Sequence, residues 1–220
     1  MNVGGSLSEL TPENVGVVVV TYHPTGDVES RLQQMGRQGG ALVVVDNASG
    51  AAMQERLAAM CARHGWELMA NSVNLGVGAA LNQGVRRLAG KGQPWILLFD
   101  QDSEPAPEMS RHMIETLHRH PERDRVAVVG ANFRERATGR RHRILQCHPW
   151  LPGFFRKRTP GDEDMPDVSM VITSGSLVNT VDFGSLGGFD EGFFIDYVDT
   201  DFCLRCRAAG WRIAVSADAR

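Results

Sequence analysis

The run GVVVVT at residues 16–21 decides how this chain is expected to fold. Consecutive β-branched residues without helical spacing are typical of a buried parallel strand, and the turn residues PTG follow at 24–26. A helical pattern at residues 27–35 then leads to a second apolar run, ALVVV, at residues 41–45. A strand, a helix and a further strand in this order predict a βαβ unit.

The same alternation continues outward from this unit. Further strands are predicted at residues 66–70, 95–99, 126–130, 168–173 and 211–216. Helices are predicted at residues 51–64, before residue 88, at 107–120 and at 197–209. The pattern predicts a single α/β domain whose mostly parallel, twisted central sheet is flanked by helices, preceded by an N-terminal tail at residues 1–14.

Two segments interrupt the alternation. Residues 134–143 are basic and are predicted to form a hairpin that turns at residues 137–139. Residues 149–166 mix proline, glycine and charged residues, which predicts a loop or lid within the domain.

Composition excludes several classes of protein. The 220 residues include 23 Lys and Arg against 26 Asp and Glu, and the net charge of −3 argues against charge-driven binding of nucleic acid. The N-terminal region has neither a spanning apolar segment nor a secretory signal, so a cytoplasmic protein is expected. Four cysteines are too few for a disulfide scaffold, and Cys203 and Cys206 are interpreted as neighbours one helical turn apart.

Polar residues follow three of the predicted strands. In an open α/β sheet, ligands bind outside the carboxyl ends of the strands. One crevice with hydrogen-bonding and acidic walls is therefore expected, although Asp46 alone is equally consistent with a turn residue. The strand-end residues are Thr21, Tyr22, Asp46, Asn47, Asp100 and Asp102.

Asp100 and Asp102 form the sharpest candidate site. Residues two apart on an extended chain project to the same side, and two carboxylates there favour Mg²⁺ or Mn²⁺. Because Mg²⁺ usually completes its shell with phosphates and water, the pair implies a phosphorylated ligand. The alternative is a solvated acidic turn that caps the following helix.

The segment NLGVGAALNQG at residues 74–84 lacks the third glycine of a dinucleotide fingerprint and does not follow the first strand. A nicotinamide site is therefore not expected. Asn74 and Asn82 are predicted to position either a ligand or a turn.

Residues 190–201 carry five acids, flanked by aromatic residues. Asp199 lies at the predicted start of a helix, where it either caps the helix or acts as a base. Crowding by Asp196 and Asp201 is expected to raise its pKa towards that of a useful base.

The ordered set VVVVTYHP, VVVDNAS, NLGVGAALNQG, LLFDQDS, ITSGSLVN and GGFDEGFFIDYVDTDFCLRCRAAGW resembles the family-2 inverting glycosyltransferases with the GT-A fold. DQDS together with FIDYVDTDFCLR is most similar to their bacterial rhamnosyltransferase branch. The resemblance extends over residues 15–211 and implies a GT-A domain at residues 15–220 that moves a sugar, with L-rhamnose from dTDP-rhamnose expected, to a hydroxyl of a cell-surface glycan or lipid-linked acceptor.

The resemblance also implies roles for individual residues. Asp100 and Asp102 match the DxD metal motif for Mg²⁺ or Mn²⁺, and Asp199 matches the base that deprotonates the acceptor. Nucleotide-sugar contacts are predicted at Thr21, Tyr22, Asp46, Asn47, Asn74, Gly76, Asn82, Asp100 and Gln101. Acceptor-side contacts are predicted at Ser174, Gly175 and Asp196.

The sequence departs from the family pattern in two places. Val198 stands where the family usually has a first acid before Asp199, so that acid is either missing or replaced by Asp196. Family members also continue beyond the last strand, often with a His that completes the metal shell. The chain ending at Arg220 is therefore interpreted as a domain truncated at its C-terminus.

Alternative functions remain open at this stage. A nucleotidyltransferase also uses acidic metal sites on an α/β sheet, and a non-catalytic module would bind the sugar nucleotide without turnover. A basic set could meet a diphosphate-lipid acceptor or the inner face of a membrane, whereas solvated charge is the simpler interpretation. The set is Arg134, Arg136, Arg140, Arg141, Arg143, Arg156, Lys157 and Arg158.

Overall fold

The structure is a computed structural model that describes residues 9–134, 138–147 and 155–220, without the side chains of residues 147 and 155. Most of the predicted tail, Arg136, one of the three predicted turn residues at 137–139, and residues 149–154 of the predicted lid lie outside the described residues. The strands are β1 (Val15–Thr21), β2 (Ala41–Asp46), β3 (Glu67–Ala70), β4 (Trp95–Asp100), β5 (Val126–Ala131), β6 (Ile144–Cys147), β7 (Phe155–Arg158), β8 (Ser176–Asn179) and β9 (Arg212–Ser216). The helices are α1 (Val28–Gly36), α2 (Ala51–His64), α3 (Val77–Ala89), α4 (Met109–Arg119), α5 (Thr180–Ser185) and α6 (Val198–Ala208).

Seven strands form the central sheet in the order β3-β2-β1-β4-β8-β5-β9. The first four strands in that order pair in parallel, β8 is antiparallel to both neighbours, and β5 pairs with β9 in parallel. The register places Thr21 opposite Asp46 and Val20 opposite Asp100, so the carboxyl ends of β1, β2 and β4 meet at one edge. The predicted mostly parallel sheet is confirmed.

Helices cover both faces of the sheet because β1 is apolar on both sides. Val17 and Val19 join a core cluster with residues of α1, α2 and α4, whereas Val18 and Val20 join a second cluster with residues of α3 and α6. Successive side chains of a strand point to opposite faces, so an unbroken valine run needs cover on both. No helix among residues 9–134, 138–147 and 155–220 is long and apolar enough to span a bilayer.

The end of the predicted tail packs against this core. Residues Pro12–Asn14 form a 3₁₀ turn, and Leu10 is only 5% exposed within the first cluster. Folded structure therefore begins before residue 15.

The predicted strand at residues 168–173 is wrong. Val168 donates its N–H to the carbonyl of Ile213, and Ser169 donates to Leu145 in the separate β6–β7 ribbon, so the segment crosses between two elements without a continuous partner. Gly175, with φ +74°, then redirects the chain into β8. Val168 is buried and the other β-branched residues at 168–173 are partly buried, all without forming a ladder.

The basic hairpin predicted at residues 134–143 is present only as a bridge between Arg134 and Arg141. A regular ribbon lies farther along the chain, where β6 pairs antiparallel with β7. Part of the predicted lid is therefore a strand. Its sequence, FRKR, has no apolar alternation that would have predicted one.

The described cysteine thiols are free and buried, at Cys61, Cys203 and Cys206. Burial raises the pKa of Cys203 and of Cys206 to about 12, which disfavours a reactive thiolate. The two residues lie one turn apart in α6, which confirms the helical interpretation. The Cys147 side chain lies outside the described residues.

Candidate active site

Asp46 anchors the sheet edge at the end of β2. It is fully buried, and it accepts hydrogen bonds from Thr21 Oγ1 at 2.9 Å, Ser49 N–H at 2.9 Å and Gln54 Nε2 at 3.0 Å, as well as from the Ser49 hydroxyl. Hydrogen bonds of this number offset the cost of burying a carboxylate. Thr21 and Asp46 therefore meet as predicted, and their contact with a nucleotide stays a prediction.

An asparagine network connects β2 to the start of α3. Asn47 Nδ2 donates to Asn74 Oδ1 at 2.7 Å and to the Gly76 carbonyl at 3.1 Å. Gly76 has φ +84°, and a Cβ there would lie 2.6 Å from the carbonyl oxygen of Phe194. The same oxygen accepts the Val77 N–H at 2.8 Å. Only glycine thus permits this approach of the loop that precedes α6.

Asn82 of α3 fixes that loop through hydrogen bonds to its backbone. It is 1% exposed, and its amide forms two 2.9 Å hydrogen bonds with the N–H and carbonyl of Phe189. Its Nδ2 also donates to Glu191 Oε1 at 2.9 Å. Of the two roles predicted for Asn82, the structure shows the turn-positioning one, and the nucleotide contact stays a prediction. From α6, Arg205 binds the same turn through the Gly188 carbonyl at 2.8 Å.

Replacing Asn82 by alanine is expected to lower the free energy of unfolding by about 2–4 kcal/mol, because two buried backbone groups of Phe189 lose their partners. Urea unfolding followed by circular dichroism measures this loss. Arg87→Ala on the exposed side of α3 is the control, since its ion pair with Glu67 is half exposed and is worth under about 1 kcal/mol. Equal losses in both variants would contradict the assigned role.

Gln101 joins the ends of β1 and β4. Its Oε1 accepts the Tyr22 N–H at 2.8 Å, and its Nε2 donates to the Tyr22 carbonyl at 3.1 Å, so the side chain continues the ladder between the strands. The Tyr22 ring remains 47% exposed beside His23, with the ring centroids 4.3 Å apart. An exposed ring at this edge can stack on a nucleobase, whereas the Gln101 amide is engaged by Tyr22.

Asp100, at the end of β4, lies within range of the charges of two other carboxylates. Desolvation by the surrounding protein, followed by the charges of Asp102 and Asp199, raises the pKa of Asp100 to about 6, although the Asp100 side chain still reaches solvent. The Asp100 N–H donates to Ser174 Oγ at 3.2 Å, and Ser174 Oγ also shares a 2.7 Å hydrogen bond with Ser103 Oγ. The predicted metal pair, the predicted base and Ser174 are therefore neighbours.

The acidic pair fits a divalent cation as an open set of ligands. Within the described part of the chain, no group of three or more His, Cys, Asp or Glu side chains is close enough to enclose a metal. Mg²⁺ and Mn²⁺ require fewer protein carboxylates when phosphates and water complete the shell. Positive charge between Asp100 and Asp102 would also relieve the repulsion that raises the pKa of Asp100.

Asp199 is half-buried in the first turn of α6, where its Oδ1 accepts the Thr200 N–H at 2.7 Å. The expected crowding by its two neighbouring acids stays a prediction, and the structure gives those acids different surroundings. Asp201 forms an ion pair with Arg205 at 2.7 Å, and Asp196 is exposed and lines neither cavity described below. Val198 is 2% exposed and belongs to the core.

Two adjoining cavities bring these groups together. One of about 510 Å³ is lined by Asp100, Asp102 and Gly175, and one of about 460 Å³ is lined by Asp199. Four residues line both cavities, and Phe133 and Ser174 belong to this shared partition together with Ala131 and Ile172. The acidic pair and the candidate base therefore lie on opposite sides of a shared wall, where a donor and an acceptor can meet.

Sequence reasoning missed the aromatic part of that wall. Phe133 stacks on His142 with ring centroids 4.5 Å apart and planes 18° from parallel. Phe133 lies just beyond β5, and His142 lies just before β6. No periodic pattern pairs them, because the contact depends on how the chain returns through the Arg134–Arg141 bridge.

Comparison with protein families and curated proteins gives consistent results. The family model for "Glycosyl transferase family 2" matches residues 17–182. The dTDP-rhamnosyl transferase RfbF of Shigella flexneri is 30% identical over 207 residues, which cover 93% of this chain and 67% of that protein. The N-acetylglucosaminyl-diphospho-decaprenol L-rhamnosyltransferase of Mycobacterium tuberculosis is 27% identical, with 89% and 71% covered.

Solved structures share the fold at low sequence identity. GalNAc-T7, solved with UDP, GalNAc and Mn²⁺, has a TM-score of 0.71 at 14% identity, with 94% of this chain and 43% of GalNAc-T7 covered. The mannosyltransferase PcManGT of Pyrobaculum calidifontis, with GDP-Man and Mn²⁺, has a TM-score of 0.63 at 16% identity, with 95% and 59% covered. This chain thus spans less than half of the length of GalNAc-T7 and less than two thirds of that of PcManGT.

Proposed function

The chain belongs to glycosyl transferase family 2, and from this premise we propose that it transfers L-rhamnose from dTDP-rhamnose, with inversion, to a hydroxyl of a glycan or lipid-linked acceptor. The names of the two rhamnosyltransferase relatives support the donor sugar. The observation that carries the reaction type is the convergence of Asp100, Asp102 and Asp199 beside one partition. The cytoplasmic location expected from the sequence stays a prediction.

Asp199 is proposed as the general base. Inverting sugar transfer is a single displacement in which the acceptor hydroxyl attacks the anomeric carbon as the leaving group departs from the opposite face. A carboxylate beside the acceptor cavity can take the hydroxyl proton as the new bond forms. Asp199 lines that cavity, and its charge contributes to the raised pKa of Asp100 on the donor side.

Asp100 and Asp102 are proposed to hold Mg²⁺ or Mn²⁺. When bound, the cation would neutralise the charge that develops on the departing diphosphate, so no general acid would be needed. Ser174 positions the backbone of this segment, since its hydroxyl accepts the Asp100 N–H and is hydrogen-bonded to Ser103. Tyr22, exposed at the same edge, is the proposed stacking surface for the base of the nucleotide.

Product analysis tests this function. The protein is incubated with dTDP-rhamnose, Mn²⁺ and N-acetylglucosamine linked to a short alkyl diphosphate. Free dTDP is expected in equal amount to a rhamnosylated product whose anomeric configuration, determined by NMR, is opposite to that of the donor. Release of pyrophosphate would instead indicate nucleotidyl transfer, and binding of dTDP-rhamnose without any product would indicate a non-catalytic module.

A further inference from the structure

The cavity that contains Asp199 has a strongly basic wall. Four cationic side chains from the segment around the β6–β7 ribbon line it: Arg140, Arg141, Arg143 and Lys157. Among the described residues that line this cavity, Asp199 is the only acid. Solvated charge is the simpler interpretation of the basic set, but it does not explain why four of the eight cations in that set line one concave space.

Strand alternation separates the ribbon into two faces. Lys157 of β7 pairs with Leu145 of β6, and both line the cavity. Arg156 and Arg158, one residue to either side, each donate to Gln146 Oε1 at 3.3 Å. Because successive residues point to opposite faces of a ribbon, the FRKR sequence directs one cation to the cavity and two away from it.

Among the described residues, one of the four cations on this wall has an ion-pair partner. Arg141 forms an ion pair with Asp162 at 2.6 Å and donates to the Pro160 carbonyl at 2.9 Å. For Arg140, Arg143 and Lys157, no ion pair is found within residues 9–134, 138–147 and 155–220. Three cations thus remain available to a ligand next to one carboxylate, a charge excess that favours an anion.

We propose that this basic cavity binds a phosphate or diphosphate group carried by the acceptor, and so directs the acceptor hydroxyl towards Asp199. The inference rests on the proposed function and specifies its acceptor as an anionic one. The diphosphate of the donor is assigned to the other cavity, where Asp100 and Asp102 lie beyond the Phe133 and Ser174 partition. A concave space of about 460 Å³ can enclose a discrete phosphorylated ligand, whereas a flat membrane surface would not enter it.

A matched pair of double variants tests the site. R143Q/K157Q removes two cavity cations, and R156Q/R158Q removes two cations from the opposite face. The acceptors are N-acetylglucosamine on a short alkyl diphosphate and the same sugar as its octyl glycoside. R143Q/K157Q is expected to raise the KM for the diphosphate acceptor by about 10- to 100-fold, since each lost contact is a charge-assisted one. We expect R143Q/K157Q to keep its kcat, its KM for the donor and its rate with the octyl glycoside acceptor within about twofold of the parent. All of these values should also stay within about twofold of the parent in R156Q/R158Q. Equal effects of the two doubles, or of R143Q/K157Q on both acceptors, would overturn the proposal.

A binding measurement separates this inference from the proposed function. Citronellyl diphosphate is titrated calorimetrically into the protein in metal-free buffer, without donor. The basic cavity is supported if the ligand binds the parent and R156Q/R158Q but binds R143Q/K157Q at least about tenfold more weakly. If that pattern is found while no rhamnosyl transfer is detected, the proposed function alone is refuted. Equal binding by all three proteins refutes the cavity assignment alone. Sedimentation with phosphatidylglycerol vesicles completes the test, because vesicle binding lost in R143Q/K157Q while citronellyl diphosphate binding persists would assign this wall to a membrane.

Discussion

Asp199→Asn is expected to lower the rate of rhamnosyl transfer by about 10²- to 10⁴-fold, the contribution of a well-placed general base. The substitution keeps the size of the side chain and an oxygen able to accept the Thr200 N–H, so the start of α6 is retained. It removes the carboxylate that is proposed to take the proton of the acceptor hydroxyl. Since Asp199 lies on the acceptor side of the partition, binding of dTDP-rhamnose is expected to change by no more than about twofold.

Initial rates at saturating donor and acceptor, together with calorimetric titration of the donor, measure both quantities. Asp124→Asn is the matched control, because that carboxylate is 84% exposed and lies in a short turn before β5. Asp196→Asn asks whether the exposed acid serves as the base in place of Asp199. Full transfer by Asp199→Asn with loss in Asp196→Asn would move the role of base to Asp196.

The central fold was predictable because its strands are nearly pure β-branched runs. The unbroken valines of β1 allow only a strand that is covered on both faces, and the polar residues after β1, β2 and β4 mark the carboxyl edge. Prediction failed at residues 168–173, where an apolar β-branched segment is partly buried without a continuous partner. A composition that fits a strand does not reveal whether an adjacent edge is available.

The sequence identified the acids of the candidate site, but it did not predict which residues those acids and their neighbours bind. Asp100 and Asp102 are two residues apart on one chain, so their proximity follows from local geometry. The binding of Asp201 to Arg205 and of Asn82 to Phe189 depends on which side of α3 and α6 faces the loop between them. The basic cavity is harder still, because it requires the ribbon to fold back beside Asp199, and the register of β6 with β7 is not encoded by any apolar alternation.

Asp102→Ala is expected to abolish the metal-dependent stabilisation of the protein by nucleotide. Thermal unfolding of the parent is measured with dTDP or UDP, each with and without Mn²⁺. Ligand at 100 times its Kd adds about 2.7 kcal/mol to the free energy of unfolding, which raises the midpoint by about 5–10 °C for a domain of this size. The Mn²⁺-dependent shift is expected to be larger with dTDP than with UDP, because the proposed donor carries thymidine diphosphate.

Loss of one of two carboxylates from an open set of ligands leaves Asp100 alone to hold the cation, so the shift should vanish in Asp102→Ala. Asp124→Ala, which removes an exposed carboxylate far from the strand end, should retain the full shift. The same Mn²⁺-dependent shift in Asp102→Ala would exclude Asp102 as a ligand, and a full dTDP shift without Mn²⁺ would show that the nucleotide binds without the cation. A larger shift with UDP would retain the metal site but replace dTDP-rhamnose as the donor. The proposed cation would bind the diphosphate that both nucleotides share, so a preference between them would have to come from contacts with the base.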